Sequence, residues 1–174
     1  QMPTDGGRST VPSLGALAQQ WVSQTGLPAG DRSGRARLLE RQLRYLGQNH
    51  GLDRGRLVML GFSQGGAMVF AAAMTTKSGL SVPPAALAVV AGHLPQGDLS
   101  PLRGLPVFWG HGARDELIPV TGARKDVERL RAAGARVQYC EADVSHKLGS
   151  ACLRELKQWI PARFGDFQKD VLSR

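Results

Sequence analysis

Arg56-Leu-Val-Met-Leu-Gly-Phe-Ser-Gln-Gly-Gly-Ala-Met68 is the stretch that decides the fold. From Arg56 to Phe62 it is a short, almost unbroken apolar run, the texture of a strand covered on both faces. The run stops at Ser63-Gln-Gly-Gly, and an Ala/Met-rich helical pattern continues to about Thr76. Outward from this strand–turn–helix unit the alternation repeats. Ala85 to Ala91 reads as a second strand, Pro106 to Trp109 as a third and Arg136 to Glu141 as a fourth. A helix from about Val120 to Ala133, closed by Gly134, precedes the fourth strand. A last amphipathic helix carries Leu148, Cys152, Leu156, Trp159 and Ile160. Strands alternating with helices predict βαβ crossovers and a parallel sheet, hence an α/β fold.

Upstream, Asp31 or Ser33 suits the cap of a helix running to about Asn49. Leu39, Leu43 and Leu46 form its apolar stripe, and Gly51 fits the left-handed position that closes it. Residues 1–30 are rich in Gly, Pro, Ser, Thr and Gln and read as a loop-rich leading segment. Within it, Leu14, Leu17, Ala18 and Trp21 have the spacing of one short helix. The tail after Phe164 is expected to be loosely held.

The chain has 174 residues and 18.6 kDa, a length that suits a single domain with a real core. Its apolar fraction of 42% and charged fraction of 21% argue for a globular protein and against global disorder. The net charge is +8, and seven arginines crowd the segment from Arg32 to Arg56. A basic stripe can bind nucleic acid or anionic lipid. Here no aromatic stacking set is interleaved with it, so it reads as a solvated helix face and no nucleic-acid partner is expected. No apolar run approaches the roughly 18 residues of a membrane helix, and the first thirty residues lack a signal-peptide pattern. A cytoplasmic chain without stable membrane insertion is therefore expected. Two cysteines are too few for a disulfide framework. Cys140 on a strand pattern and Cys152 on an apolar helix stripe read as small buried hydrophobes. No cluster has metal-ligand spacing, so neither a metal nor another cofactor is expected.

The chemistry centres on Gly61-Phe62-Ser63-Gln64-Gly65, a G-x-S-x-G pattern between an apolar strand and a helix. A tight strand-to-helix turn strains the backbone at Ser63 and crowds the positions two before and two after, which favours glycine at both. The turn holds the hydroxyl clear of the sheet. The helix N-terminus then aims backbone N–H groups at a developing oxyanion, with that of Gln64 the first donor. The alternative, a glycine-rich phosphate cradle, lacks its lysine, because Gly-Gly-Ala-Met follows the serine turn. A serine hydroxyl needs a base in reach, and the base needs an orienting acid. Asp115 follows the third strand and His146 the fourth, both at strand C-terminal ends, where open α/β sheets build their sites. Among the other histidines, His50 closes a helix, His93 precedes the acid in chain order, and His111 shares the turn of Asp115 and is expected to organise it. Alternation turns Glu116 away, and Asp143 is too close in sequence to His146 to orient it.

These segments also carry a resemblance. GFSQGG, AGHLP after the next strand, HGARDELIPV and a late histidine together resemble the phospholipase/carboxylesterase family, the group that includes acyl-protein thioesterases. The likeness covers about residues 34–163. It implies an α/β-hydrolase fold and hydrolysis of small-molecule carboxylic esters or thioesters, with nucleophile, acid and base at Ser63, Asp115 and His146. It further implies that His93, Leu94 and Pro95 lie near the acyl pocket, with Trp21 in a loop over it. Family members open with further strands and a His-Gly-x-Gly-type loop that supplies a second oxyanion donor. This sequence has no such segment. The expectation is therefore the C-terminal half of the fold, about four strands, in a domain incomplete at its N-terminus. The nucleophile strand would lie at a sheet edge open to association. A noncatalytic remnant serving as an interaction scaffold is the alternative.

Overall fold

The computed structural model describes residues 57–74 and 84–163, together with Arg41, Tyr45, Gln48 and Asn49 of an upstream helix. Four strands form one sheet in the order β1 (Val58–Phe62), β2 (Ala86–Val90), β3 (Pro106–Gly112) and β4 (Arg136–Ala142). All three pairings are parallel, with Val58 opposite Ala86, Leu87 opposite Val107 and Pro106 opposite Arg136. Helix α1 (Gln64–Met74) follows β1, α2 (Val120–Ala132) follows β3, and α3 (Ser150–Trp159) follows β4. This is the α/β architecture expected from the alternation of apolar runs. The leading segment, most of the first helix and the tail after Arg163 lie outside the described residues.

The period-two geometry of the strands sorts the core into two layers. Leu87, Val89, Val107 and Trp109 point to one face, where Val69 and Phe70 of α1 and Ala123, Val127 and Leu130 of α2 cover them. Ala86, Ala88 and Phe108 point to the other, against Cys152, Leu156 and Trp159 of α3. Ring pairs anchor each layer: Phe70 lies 5.5 Å from Trp109, and Phe108 lies 5.8 Å from Trp159. Strands β2 and β3 are buried along their whole lengths, whereas β1 leaves Leu60 and Phe62 about half exposed, at 53% and 48%. Among the described residues the outer edge of β1 has no partner strand.

Two expectations need correction. Strand β3 runs to Gly112 rather than stopping at Trp109, because His111 and Gly112 continue the pairing with Glu141 and Ala142 of β4. His111 therefore sits in the strand and not on the turn. The cysteines are also not independent hydrophobes: Cys140 and Cys152, 12 positions apart in sequence, form a disulfide. The face of β4 that packs on α3 brings the first turn of that helix over Cys140, with a Cα–Cα separation of 5.6 Å. A loop of that length constrains the unfolded chain by about 3 kcal/mol in the chain-entropy view.

Candidate active site

At the end of β1 the backbone turns sharply into α1. Ser63 has a φ of +53°, a left-handed conformation that a residue with a Cβ adopts only under constraint. Its N–H donates to the Val90 carbonyl at 2.8 Å, and its own carbonyl accepts from Gly66 N–H at 3.0 Å. A Cβ at Gly61 would overlap the Gly65 carbonyl, so glycine is required there. The second crowded position is Gly66 and not Gly65. A Cβ at Gly66 would come 2.7 Å from a Val89 methyl and 3.3 Å from the Gly92 Cα, while one at Gly65 meets nothing within 4 Å among the described residues. Gln64 opens α1, so its N–H stands at the helix N-terminus beside the serine. Ala91, at the end of β2, is a second non-glycine residue in the left-handed region, with φ +47°. Nothing in its residue type signals this.

The turn after β3 builds around Asp115, which is only 6% exposed. One carboxylate oxygen accepts from the N–H groups of Leu117 and Ile118, at 3.0 and 2.9 Å. The other lies 2.8 Å from Nδ1 of His146. His111 braces the same turn from the strand. The Trp109 indole N–H donates to its Nδ1 at 3.3 Å, which leaves Nε2 as the donor to the Ile118 carbonyl at 2.9 Å. Glu116 is exposed, as alternation suggested.

Desolvation by burial pushes the Asp115 carboxyl up, but the Ile118 N–H, the His146 imidazole and the Leu117 N–H together hold it below the ordinary carboxylate range. An unfolded-state aspartate titrates near about 3.9. Between that value and the lower native one the native state binds fewer protons than the unfolded state, so Asp115 stabilises the fold above this window and the contribution is lost as pH falls through it. Chemical unfolding followed between pH 5 and pH 2 should therefore show a shallower loss of stability in Asp115→Asn than in the parent chain.

The loop from Asp143 to Gly149 presents His146, and the turn of Asp115 clips onto it. Ala113 N–H donates to the Ala142 carbonyl at 2.8 Å and Arg114 N–H to the Val144 carbonyl at 3.0 Å. Gly112 lets the two segments touch, because a Cβ there would overlap the Ser145 and Val144 carbonyls. Gly112→Ala should destabilise the chain by about 2 kcal/mol, an overpacking effect, and lower its Tm by roughly 4–8 °C. Gly122→Ala in α2, where a Cβ meets nothing within 4 Å among the described residues, should leave the Tm unchanged or slightly raised. Differential scanning calorimetry separates the two.

Phe62, the neighbour of Ser63 in the chain, packs its ring 5.0 Å from the His146 ring. The elbow and the histidine loop therefore meet. His146 Nε2 is buried and has no hydrogen-bond partner among the described residues. An unpaired buried acceptor is unfavourable, about 1–3 kcal/mol, and such atoms concentrate at reactive sites. Of the remaining expected site residues, His93 is partly buried, and Leu94 is 4% exposed and packs in the core. The Leu94 N–H donates to Asp126 of α2 at 2.8 Å, which fixes the course of this loop. Trp21 and His50 lie outside the described residues. A groove of about 480 Å³ along α2, lined by Arg124, Glu128, Arg131 and Tyr139 among others, shares no residue with this cluster.

A parallel sheet with a strained serine at the strand-to-helix turn, and an Asp–His pair at the ends of later strands, is the α/β-hydrolase arrangement. The Phospholipase/Carboxylesterase family profile matches residues 34–163, and the chain belongs to that family. Solved structures agree on the fold. A carboxylesterase from Bacillus cereus superposes with a TM-score of 0.68 at 20% identity, covering 77% of this chain and 62% of that one. Arabidopsis thaliana SOBER1 gives 0.63 at 21% identity, covering 79% and 68%. Zea mays acyl-protein thioesterase 2 gives 0.61 at 18% identity, covering 78% and 67%. The chain thus spans between about three-fifths and two-thirds of the length of these proteins.

Proposed function

We propose that the protein is a serine hydrolase of carboxylic esters or thioesters, with Ser63, His146 and Asp115 as its catalytic residues. The observation that carries this reading is the 2.8 Å contact between Asp115 and His146, 31 residues apart in sequence, in a loop that meets the residue next to Ser63. Ser63 Oγ attacks the substrate carbonyl carbon as its proton passes to His146 Nε2. Asp115 keeps the other ring proton on Nδ1 and stabilises the imidazolium. The Gln64 N–H at the start of α1 donates to the oxyanion. His146 then returns the proton to the leaving alcohol or thiol, and water, deprotonated by the same ring, releases the acid from Ser63. Apo hydrogen bonds between serine and base commonly tighten only in the substrate complex. His93, Leu94 and Trp21 are carried forward from the sequence as pocket-lining residues, and Leu94 also packs in the core. No metal or organic cofactor enters the scheme.

Family membership supports a small-molecule ester or thioester substrate. Among the described residues no helix is long and apolar enough to cross a membrane. The cytoplasmic location expected from the sequence stands against the Cys140–Cys152 bridge, since disulfides persist chiefly in oxidising compartments. The test is stopped-flow hydrolysis of p-nitrophenyl acetate, butyrate and octanoate by the folded chain. A burst of p-nitrophenol approaching one equivalent, followed by slower turnover, is expected of a two-step acyl-enzyme. No release above the buffer rate from any of the three would overturn the reading.

A further inference from the structure

We infer that the Cys140–Cys152 disulfide is a positioning device for His146. The inference rests on the reading of His146 as the base. The bridge lies outside any role in the proposed chemistry, yet it encloses the one loop that presents the histidine. Cys140 is near the end of β4 and Cys152 in the first turn of α3, and His146 stands between them. The neck of the loop is narrow on its own account, because a Cβ at Gly149 would overlap the Ala142 side chain. The bridge closes that neck covalently one step deeper in the core, where Cys152 is fully buried and Cys140 is 7% exposed. On the side facing solvent, the loop is held by Arg114, whose guanidinium reaches the Asp143 carbonyl at 2.9 Å and its carboxylate at 2.7 Å. Both of those side chains are more than two-thirds exposed, and exposed pairs hold weakly. Backbone bonds from Ala113 to Ala142 and from Arg114 to Val144 hold the strand-side half of the loop, and the bridge is the covalent anchor between that half and the start of α3. Without it, the strand end and the helix start can separate, and the 2.8 Å contact of Nδ1 with Asp115 loosens. Displacements of about 1 Å at a reacting group can lower rates by roughly 100-fold.

A dithiol reductant such as dithiothreitol supplies the two electrons and two protons that convert the bridge to two thiols, and leaves as its own cyclic disulfide. Cys140→Ala/Cys152→Ala removes the bridge without a reductant. For the oxidised parent, the reduced parent and the double variant, the experiment compares three readings at a temperature where circular dichroism shows all to be folded. They are the saturating rate of fluorophosphonate labelling, the reagent concentration giving half that rate, and the low-field Nδ1–H proton resonance of His146. The expected result is a roughly tenfold fall in the saturating rate, an unchanged half-saturating concentration, and a broadened or lost low-field resonance whenever the bridge is absent. A bridge that serves only the fold lowers the Tm and leaves the labelling rate and the resonance unchanged, which would overturn the inference. Should the double variant fail to fold, the reduced parent decides in the same way. Two free thiols titrated in the oxidised chain would also overturn it. If even the oxidised parent escapes labelling, the nucleophile assignment fails separately. The resonance then still decides whether the bridge holds His146 against Asp115.

Discussion

Ser63→Ala is expected to lower kcat/KM for p-nitrophenyl esters by a factor on the order of 10⁴ or more, down to the level set by binding and oxyanion contacts alone. The reason is that nothing next to Ser63 can replace its hydroxyl. The flanking residues are Phe62, packed on the His146 ring, and Gln64, which opens α1. The substitution keeps a Cβ in the left-handed conformation that Ser63 already holds, so the elbow geometry is retained. A KM at or above that of the parent is expected, because a burst in the parent means that deacylation limits its turnover and holds its KM below the substrate dissociation constant. Thermal unfolding alongside the kinetics should show a Tm within a few degrees of the parent. A residual rate within tenfold of the parent would remove Ser63 from the mechanism.

Asp115→Asn is expected to reduce kcat by about 10⁴ while leaving the turn largely in place. Asn retains an oxygen that can accept from the Leu117 and Ile118 N–H groups. Its NH₂ then faces His146 where the carboxylate stood, and as a donor it forces the lone pair onto Nδ1. The proton moves to Nε2, the atom that must accept from serine, and the imidazolium loses its counter-charge. Steady-state kinetics should therefore show a fall in kcat far larger than the change in KM. Equal losses in Asp115→Asn and Glu116→Gln would contradict the assignment, since Glu116 is exposed.

The sheet was legible because β2 and β3 are buried on both faces and so read as continuous apolar runs, from Ala86 to Val90 and from Pro106 onward. The elbow was legible because its glycines have steric causes, although the crowding falls on Gly66 rather than Gly65. Ser63, Asp115 and His146 stood out as candidates because each follows the C-terminal end of a strand, β1, β3 and β4 respectively. The disulfide was hidden for a physical reason: Cys140 belongs to a strand period and Cys152 to a helix period, and only the packing of α3 on β4 brings them together. The left-handed Ala91 was hidden because its conformation is imposed by tertiary contacts, among them the bond from its N–H to the Gly110 carbonyl. Gly112 stood in the sequence as one glycine among many; the carbonyls of Val144 and Ser145 that require it come from a loop about thirty residues away.

Everything proposed for this site turns on the Ser63 hydroxyl acting as the nucleophile, activated by the His146–Asp115 pair. Peptide mapping by mass spectrometry after reaction with a fluorophosphonate tests it most directly, because trypsin releases Ser63 within the segment from Leu57 to Lys77. A single phosphonyl adduct on Ser63 is expected, absent from Ser63→Ala and strongly reduced in His146→Ala. A folded chain that takes up no reagent, or an adduct on any other residue, would contradict it.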